Sequence, residues 1–150
     1  MKKTTIALFV FGTFSLLIML SCKKSSVSAL TKSRTELLTQ QAWKAGLHGL
    51  DANNNGIIDP SENDMPACQT DDKYSFYSNG TGLYSSGDLQ CAPDDSTTVF
   101  TWALSNNDSQ LTIFNFTQTV SKLDDNTLGV YYEDQNSSGQ AVKYITTYQH

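Results

Sequence analysis

Apolar and polar side chains alternate along most of the chain after residue 42, and this period of two is typical of β-strands that bury one face. The alternation breaks at clusters of Asn, Asp, Gly and Ser, which form turns, and Asn79-Gly80 is the clearest hairpin signal among them. These patterns predict eight strands at residues 43–50, 73–78, 81–86, 97–104, 110–116, 117–123, 127–134 and 140–148. Eight short sequential strands can close and remove their exposed edges, so we predict an all-β, eight-stranded antiparallel up-and-down barrel.

One face of the predicted strands is apolar and aromatic, and the other face is polar. The predicted inner face holds Trp43, Ala45, Leu47, Tyr74, Phe76, Phe100, Trp102, Leu104, Leu111, Ile113, Leu128, Val130, Tyr132, Val142, Tyr144 and Tyr148. The predicted outer face carries Lys44, His48, Lys73, Thr101, Thr112, Glu133 and Lys143. Plain core packing explains the aromatic residues of the inner face, and lining of a ligand pocket is the alternative. Seven of them are candidates for such a lining: Trp43, Tyr74, Phe76, Phe100, Trp102, Tyr132 and Tyr144.

Two segments depart from the alternation. Residues 33–36 have the spacing of a capping box, with Ser33 at the N-cap and Glu36 three residues later, so a short N-terminal helix is predicted before the first strand. Residues 113–116 break the phase of the strand pattern, and we predict a β-bulge there.

Residues 51–62 match the calcium-binding loop of EF-hands over the full twelve positions. Gly56 stands at the sharp turn. The predicted ligands are Asp51, Asn53, Asn55, the backbone carbonyl of Ile57, Asp59 and Glu62. Three carboxylates and two neutral amides predict a structural calcium site with a dissociation constant on the order of 10⁻⁴ to 10⁻³ M. The alternative is a turn-rich loop that binds nothing, because Asn, Asp and Gly favour turns in any case.

Residues 1–21 form a targeting segment, with Lys2 and Lys3 ahead of an apolar run at residues 6–20. The run ends at Ser21-Cys22 and resembles a bacterial lipoprotein signal. The resemblance implies that Cys22 is acylated, with palmitate among its chains, and anchors the protein to the outer membrane of the cell envelope, facing the periplasm or the cell surface. The alternative is an ordinary secretory signal that is cleaved elsewhere. Residues 22–35 would then be the acylated N-terminus and a flexible tether, and residues 36–150 the folded domain.

The chain has three cysteines. With Cys22 bound to lipid, Cys68 and Cys91 remain as a pair in a compartment where disulfides form, so we predict that they are bridged. The alternative is two buried free thiols.

The domain is acidic. From residue 37 onward the sequence contains four lysines, twelve Asp and two Glu, which gives a net charge of −10. Such a domain repels phosphate backbones and anionic headgroups, so we predict no nucleic-acid partner and no direct binding to the membrane surface.

Several motifs together resemble bacterial lipocalin-like lipoproteins: the lead-in at residues 37–43 that ends in Trp43, the segment 68–76, Asn79-Gly80-Thr81 and Cys91. The resemblance covers about residues 36–148. It implies a lipocalin-like barrel in which the calcium segment is an insert between strands one and two, at the mouth of the barrel.

The sequence indicates no catalytic site, because neither His48 nor His150 lies in a nucleophile motif. We therefore predict a non-catalytic protein. In one interpretation the barrel binds a small apolar ligand, since eight strands leave room for one. In the other, the barrel is filled by its own side chains and the calcium-stiffened exterior binds a protein or glycan partner. An interior void of roughly 300 Å³ or more would favour the first.

Overall fold

The computed structural model describes residues 31–92 and 97–150. The predicted signal peptide, Cys22 and most of the tether lie outside these residues. Eight strands follow one another in chain order, each antiparallel to the next, and β8 pairs with β1 to close the sheet into a ring. The strands are β1 (Trp43–Leu50), β2 (Lys73–Phe76), β3 (Thr81–Ser85), β4 (Thr97–Ser105), β5 (Gln110–Ile113), β6 (Phe116–Leu123), β7 (Thr127–Gln135) and β8 (Ala141–Gln149). The prediction of an all-β chain with eight antiparallel strands is confirmed.

The two ends of the ring differ because the strands alternate in direction. The β1–β2, β3–β4, β5–β6 and β7–β8 connections lie at one end, which we call the mouth, and the β2–β3, β4–β5 and β6–β7 connections lie at the other, which we call the closed end. A single turn of 3₁₀ helix (Ala67–Gln69) lies within the β1–β2 connection. The mouth therefore carries the calcium segment and both cysteines.

The short N-terminal helix is confirmed as α1 (Arg34–Thr39). The Ser33 hydroxyl accepts a hydrogen bond from the Glu36 amide at 3.1 Å, and the Glu36 carboxylate accepts one from the Ser33 amide at 2.7 Å. The helix buries Leu38 completely, and the Leu38 carbonyl accepts the indole N–H of Trp43 at 2.8 Å. In the described part of the chain, no helix is long and apolar enough to cross a membrane.

The interior of the ring is packed with apolar and aromatic side chains. Phe76 lies edge-on against Phe100 and Trp102, with ring centroids 5.4 and 5.6 Å apart. The buried cluster consists of Leu38, Trp43, Phe76, Phe100, Trp102, Leu111, Ile113, Leu128, Val130 and Tyr148. At the closed end, the His150 ring lies tilted by 32° against the buried Trp43, with 3.8 Å between ring centroids.

A register shift in β1 changes which side chains face inward. The pairing with β8 shifts between Ala45 and His48, so that Ala45 pairs with Tyr148 and His48 with Thr146. Both partners lie on the inner face of β8, so His48 also faces inward and Leu47 faces out, 37% exposed. The predictions of Leu47 inside and His48 outside were wrong, because a β-bulge adds a residue that strict alternation does not anticipate.

The predicted bulge at residues 113–116 was also wrong. Ile113 pairs with Phe116, and the two residues between them form a tight hairpin turn. Phe114 and Asn115 adopt φ values of 51° and 66°, as two-residue hairpin turns require at both central positions. Phe114 is an unusual residue for that conformation. The phase break in the sequence therefore marks a change of strand.

Candidate metal centre and the mouth of the ring

The segment that matches a calcium loop joins β1 to the rest of the mouth. It begins at Asp51, whose backbone amide donates to the Lys143 carbonyl of β8 at 2.9 Å. The Asp51 side chain is buried, with 5% of the residue exposed, and no ion pair of the described residues includes it. Backbone amides satisfy it instead: its two oxygens accept from Asn55 and Gly56, each at 2.9 Å.

The other predicted ligands lie around the same turn. Asp59 Oδ2 accepts the side-chain amides of Asn53 at 2.8 Å and Asn55 at 3.2 Å, so three of the predicted ligand side chains meet at one carboxylate oxygen. The Glu62 carboxylate accepts the backbone amides of Ala52 at 2.9 Å and Asp59 at 3.0 Å. Asp51 and Glu62, the first and last acidic residues of the segment, are thus both hydrogen-bonded to backbone amides within the loop.

The donor set of this loop fits calcium, which prefers carboxylate and carbonyl oxygens. Three carboxylates, two amide oxygens and the Ile57 carbonyl are present in the order that the ion requires. The Ile57 side chain is 59% exposed, so only its backbone oxygen is a candidate ligand. Within residues 31–92 and 97–150, no three His, Cys, Asp or Glu side chains converge closely enough to hold a metal ion. The calcium site therefore stays a prediction.

Ile58 attaches the loop to the outside of the ring. It is 5% exposed, and with Ile145 of β8 and Leu47 of β1 it lines an apolar groove between the loop and the outer face of the sheet. In a paired EF-hand this position would contact a second loop; here the sheet buries it. The burial of Ile58 couples the shape of the loop to the surface of the ring.

The residues that follow the loop return to β1. The Asp64 amide donates to the His48 carbonyl at 2.8 Å, and Asn63 Oδ1 accepts the His48 amide at 3.1 Å. Gly49 is required beside them, because a Cβ at that position would collide with the backbone carbonyl of Glu62. Both ends of the calcium segment are therefore hydrogen-bonded to the ring.

A disulfide ties the two long mouth connections together. Cys68 and Cys91 are bridged across a separation of 23 residues, with Cα atoms 5.1 Å apart. The prediction of this pair is confirmed.

Two adjacent aspartates strengthen that junction. Asp71 Oδ2 accepts the backbone amides of Asp88 at 2.7 Å and Leu89 at 3.2 Å. Asp72 is 2% exposed and accepts the Tyr84 hydroxyl at 2.8 Å and the Gly87 amide at 3.4 Å. The sequence pattern does not reveal this role, although Asp72 lies two residues before Tyr74 and so shares its inward face.

A cavity of about 200 Å³ remains inside the ring near the mouth. It is lined by Ala45, His48, Met65, Gln69, Asp72, Tyr74, Thr146 and Tyr148. Of the seven aromatic candidates, only Tyr74 lines it. Burial, and next the negative charge of Asp72, raise the pKa of Tyr74 to about 12. Burial likewise raises the pKa of Tyr148.

The remaining aromatic candidates fall into two groups. Trp43, Phe76, Phe100 and Trp102 belong to the packed core. Tyr132 and Tyr144 lie nearer the mouth and stack on each other at 5.2 Å, with Phe116 edge-on against Tyr132 at 5.0 Å. The seven residues therefore do not line one common pocket.

Neither a protein-family model nor a curated protein matches the chain.

Proposed function

We propose that the chain is a non-catalytic, lipid-anchored lipoprotein of the cell envelope whose lipocalin-like ring presents a rigid binding face at its mouth. The partner is a protein or a glycan, and calcium in the loop of residues 51–62 stabilises that face. The observation that carries this proposal is the packed interior, which leaves little room for an enclosed apolar ligand.

The interior of the ring has little free volume. Trp43, Leu38, Leu111, Leu128 and Val130 are fully buried and fill the ring from the closed end upward. The cavity between Ala45, His48 and Tyr148, about 200 Å³, is smaller than the roughly 300 Å³ at which pockets for drug-sized ligands begin. Its lining mixes apolar side chains with the carboxylate of Asp72 and the amide of Gln69. Carriage of a small apolar ligand, the other interpretation of the sequence, is therefore the weaker of the two.

The mouth has the composition of a binding surface. Phe114 and Phe116 are each 48% exposed. Phe116 lies edge-on against Tyr132, which stacks on Tyr144. Exposed aromatic side chains are enriched at protein interfaces, and they offer flat faces on which a sugar ring can stack. The disulfide reduces the mobility of the loops beside them, which lowers the entropy lost on binding.

Calcium would act on the same end of the molecule. Asp51, Asn53, Asn55, Asp59 and Glu62 would hold it together with the Ile57 carbonyl, and the ion would neutralise carboxylates that backbone amides now satisfy. An affinity on the order of 10⁻⁴ to 10⁻³ M suits an extracytoplasmic protein. This agrees with the anchor at Cys22 that the lipoprotein signal implies.

Site-specific photocrosslinking in the native host tests the binding face. A photoreactive residue replaces Phe114 at the mouth, and a matched variant carries it at Asn107, an exposed residue of the β4–β5 turn at the closed end. We expect crosslinked protein or glycan adducts from position 114 and none from position 107. Equal adducts from both positions, or from neither, would contradict the proposal.

Native mass spectrometry of the protein from the same membranes tests the other interpretation, carriage of a small apolar ligand. A hydrophobic small molecule that travels with the protein at a ratio of one to one would show that the ring carries an apolar ligand. We expect no such molecule.

A further inference from the structure

We infer that the cavity beneath the mouth is a binding site for a small organic cation, such as a molecule with an ammonium or a quaternary amine group. This inference does not depend on the partner-binding face or on calcium. It rests on the shape of the cavity, on the charge of its lining and on the groups left without partners there.

The β-bulge in β1 creates the cavity's polar wall. Without the shift between Ala45 and His48, Leu47 would face inward and extend the apolar core to the mouth. With it, the His48 ring faces Thr146, and its Nδ1 lies 2.8 Å from the Thr146 hydroxyl. Bulges commonly re-aim a side chain beside a functional site.

The cavity has a negative charge that no described cation neutralises. Asp72 lines it with 2% of the residue exposed, and its partners there are neutral: the Tyr84 hydroxyl and the Gly87 amide. No lysine or arginine is part of the lining. A buried carboxylate without a cation is costly, so the site favours a positively charged guest.

Two aromatic rings form another part of the lining. Tyr74 and Tyr148 meet edge to face, with centroids 5.2 Å apart, and both line the cavity. Ring faces attract cations, most strongly where water is excluded. Among the described residues neither hydroxyl has a hydrogen-bond partner, and burial together with Asp72 keeps Tyr74 protonated, its pKa raised to about 12. Both hydroxyls are therefore free to contact a ligand.

Titration of the full chain in a maltoside detergent with choline tests the inference. The matched control ligand is 3,3-dimethylbutan-1-ol, which has the shape of choline without its charge. The chain has only two histidines, and they serve as internal reporters: His48 lines the cavity, whereas His150 packs against Trp43 at the closed end. We expect choline to shift the His48 ring signals in NMR spectra and to leave those of His150 in place. The neutral alcohol should need at least about tenfold higher concentration for the same shift.

Variants separate charge from shape. Asp72→Asn keeps an oxygen that can accept the Tyr84 hydroxyl but removes the charge, and it should weaken choline binding at least about tenfold. Asp108→Asn removes the same charge from the closed end and should leave the affinity within about twofold. If Asp72→Asn does not fold, Ala45→Leu, which fills the cavity from its lining, should abolish the His48 shift. Equal affinity for both ligands, unchanged affinity in Asp72→Asn or Ala45→Leu, or no His48 shift would each overturn the inference.

Discussion

Replacing Glu62 by alanine tests the calcium loop most directly, because Glu62 is the predicted bidentate ligand and also closes the loop without metal. Its carboxylate accepts the backbone amides of Ala52 at 2.9 Å and Asp59 at 3.0 Å. Hydrogen bonds to a charged acceptor contribute about 1.5–3 kcal/mol when buried. Because this loop is largely exposed to water, we expect Glu62→Ala to lower the free energy of unfolding by about 1–2 kcal/mol in calcium-free buffer.

Calcium should then widen the difference in stability between the wild type and Glu62→Ala. With a dissociation constant on the order of 10⁻⁴ to 10⁻³ M, about 10 mM calcium stabilises the folded wild type by about 1.4–2.7 kcal/mol through mass action. For a domain of this size each kcal/mol raises Tm by about 3–4 °C, so the expected rise is roughly 4–11 °C. The variant has lost its bidentate ligand and should show almost no rise.

Differential scanning calorimetry with and without calcium measures both effects. Glu133→Ala is the matched control, because it removes an exposed glutamate from β7 and leaves the loop intact; it should respond to calcium as the wild type does. Magnesium at the same concentration should stabilise the wild type much less, since it demands a small octahedral site. An equal calcium response in wild type and Glu62→Ala, or no response in the wild type, would show that the loop binds no ion.

Three further predictions concern the scaffold and its anchor. Trp43→Phe leaves the Leu38 carbonyl buried without its indole donor and removes packed volume, so chemical denaturation should show a loss of about 2–4 kcal/mol; a loss below about 1 kcal/mol would contradict the packing argument. Replacing both Cys68 and Cys91 by alanine opens a loop closed across a separation of 23 residues and should lower the free energy of unfolding by about 3 kcal/mol in the same measurement; an unchanged midpoint would show that the hydrogen bonds from the Asp88 and Leu89 amides to Asp71 hold the junction without the disulfide. Cys22→Ala should move the protein from the membrane fraction to the soluble fraction on immunoblots, and a protein that stays with the membrane would refute lipid anchoring at that residue.

The alternation of side chains was sufficient to predict all eight strands and most of the core. Trp43, Phe76 and Phe100 are buried as predicted, because a strand packed on one side repeats its apolar residues with a strict period of two. Turn chemistry located the hairpin at Asn79-Gly80, where Gly80 has a φ of 81°. The capping box also predicted the first helix correctly, because it depends only on local sequence, on two residues three positions apart.

Features that depend on distant partners were mispredicted or missed. The side of the sheet on which His48 lies depends on its register with Thr146, and a bulge changes that register without changing the local composition. The hairpin at Phe114-Asn115 lacks the usual glycine, so its local sequence does not signal a turn. Aspartate is typical of solvent-exposed turns, so the sequence does not predict that Asp72 is buried. Its burial depends on hydrogen bonds from the Tyr84 hydroxyl and the Gly87 amide, which lie more than ten residues away in the chain.

Local spacing and residue count were enough to predict the strand number, the pair of cysteines and the order of oxygen donors from Asp51 to Glu62. The folded ring was needed to show that its core fills from the closed end, that a cavity of about 200 Å³ remains near the mouth, and that His48 faces this cavity. These features depend on long-range packing, because the volume left inside a closed sheet is set by how side chains from all eight strands fit together. A single register shift can exchange an apolar wall for a polar one.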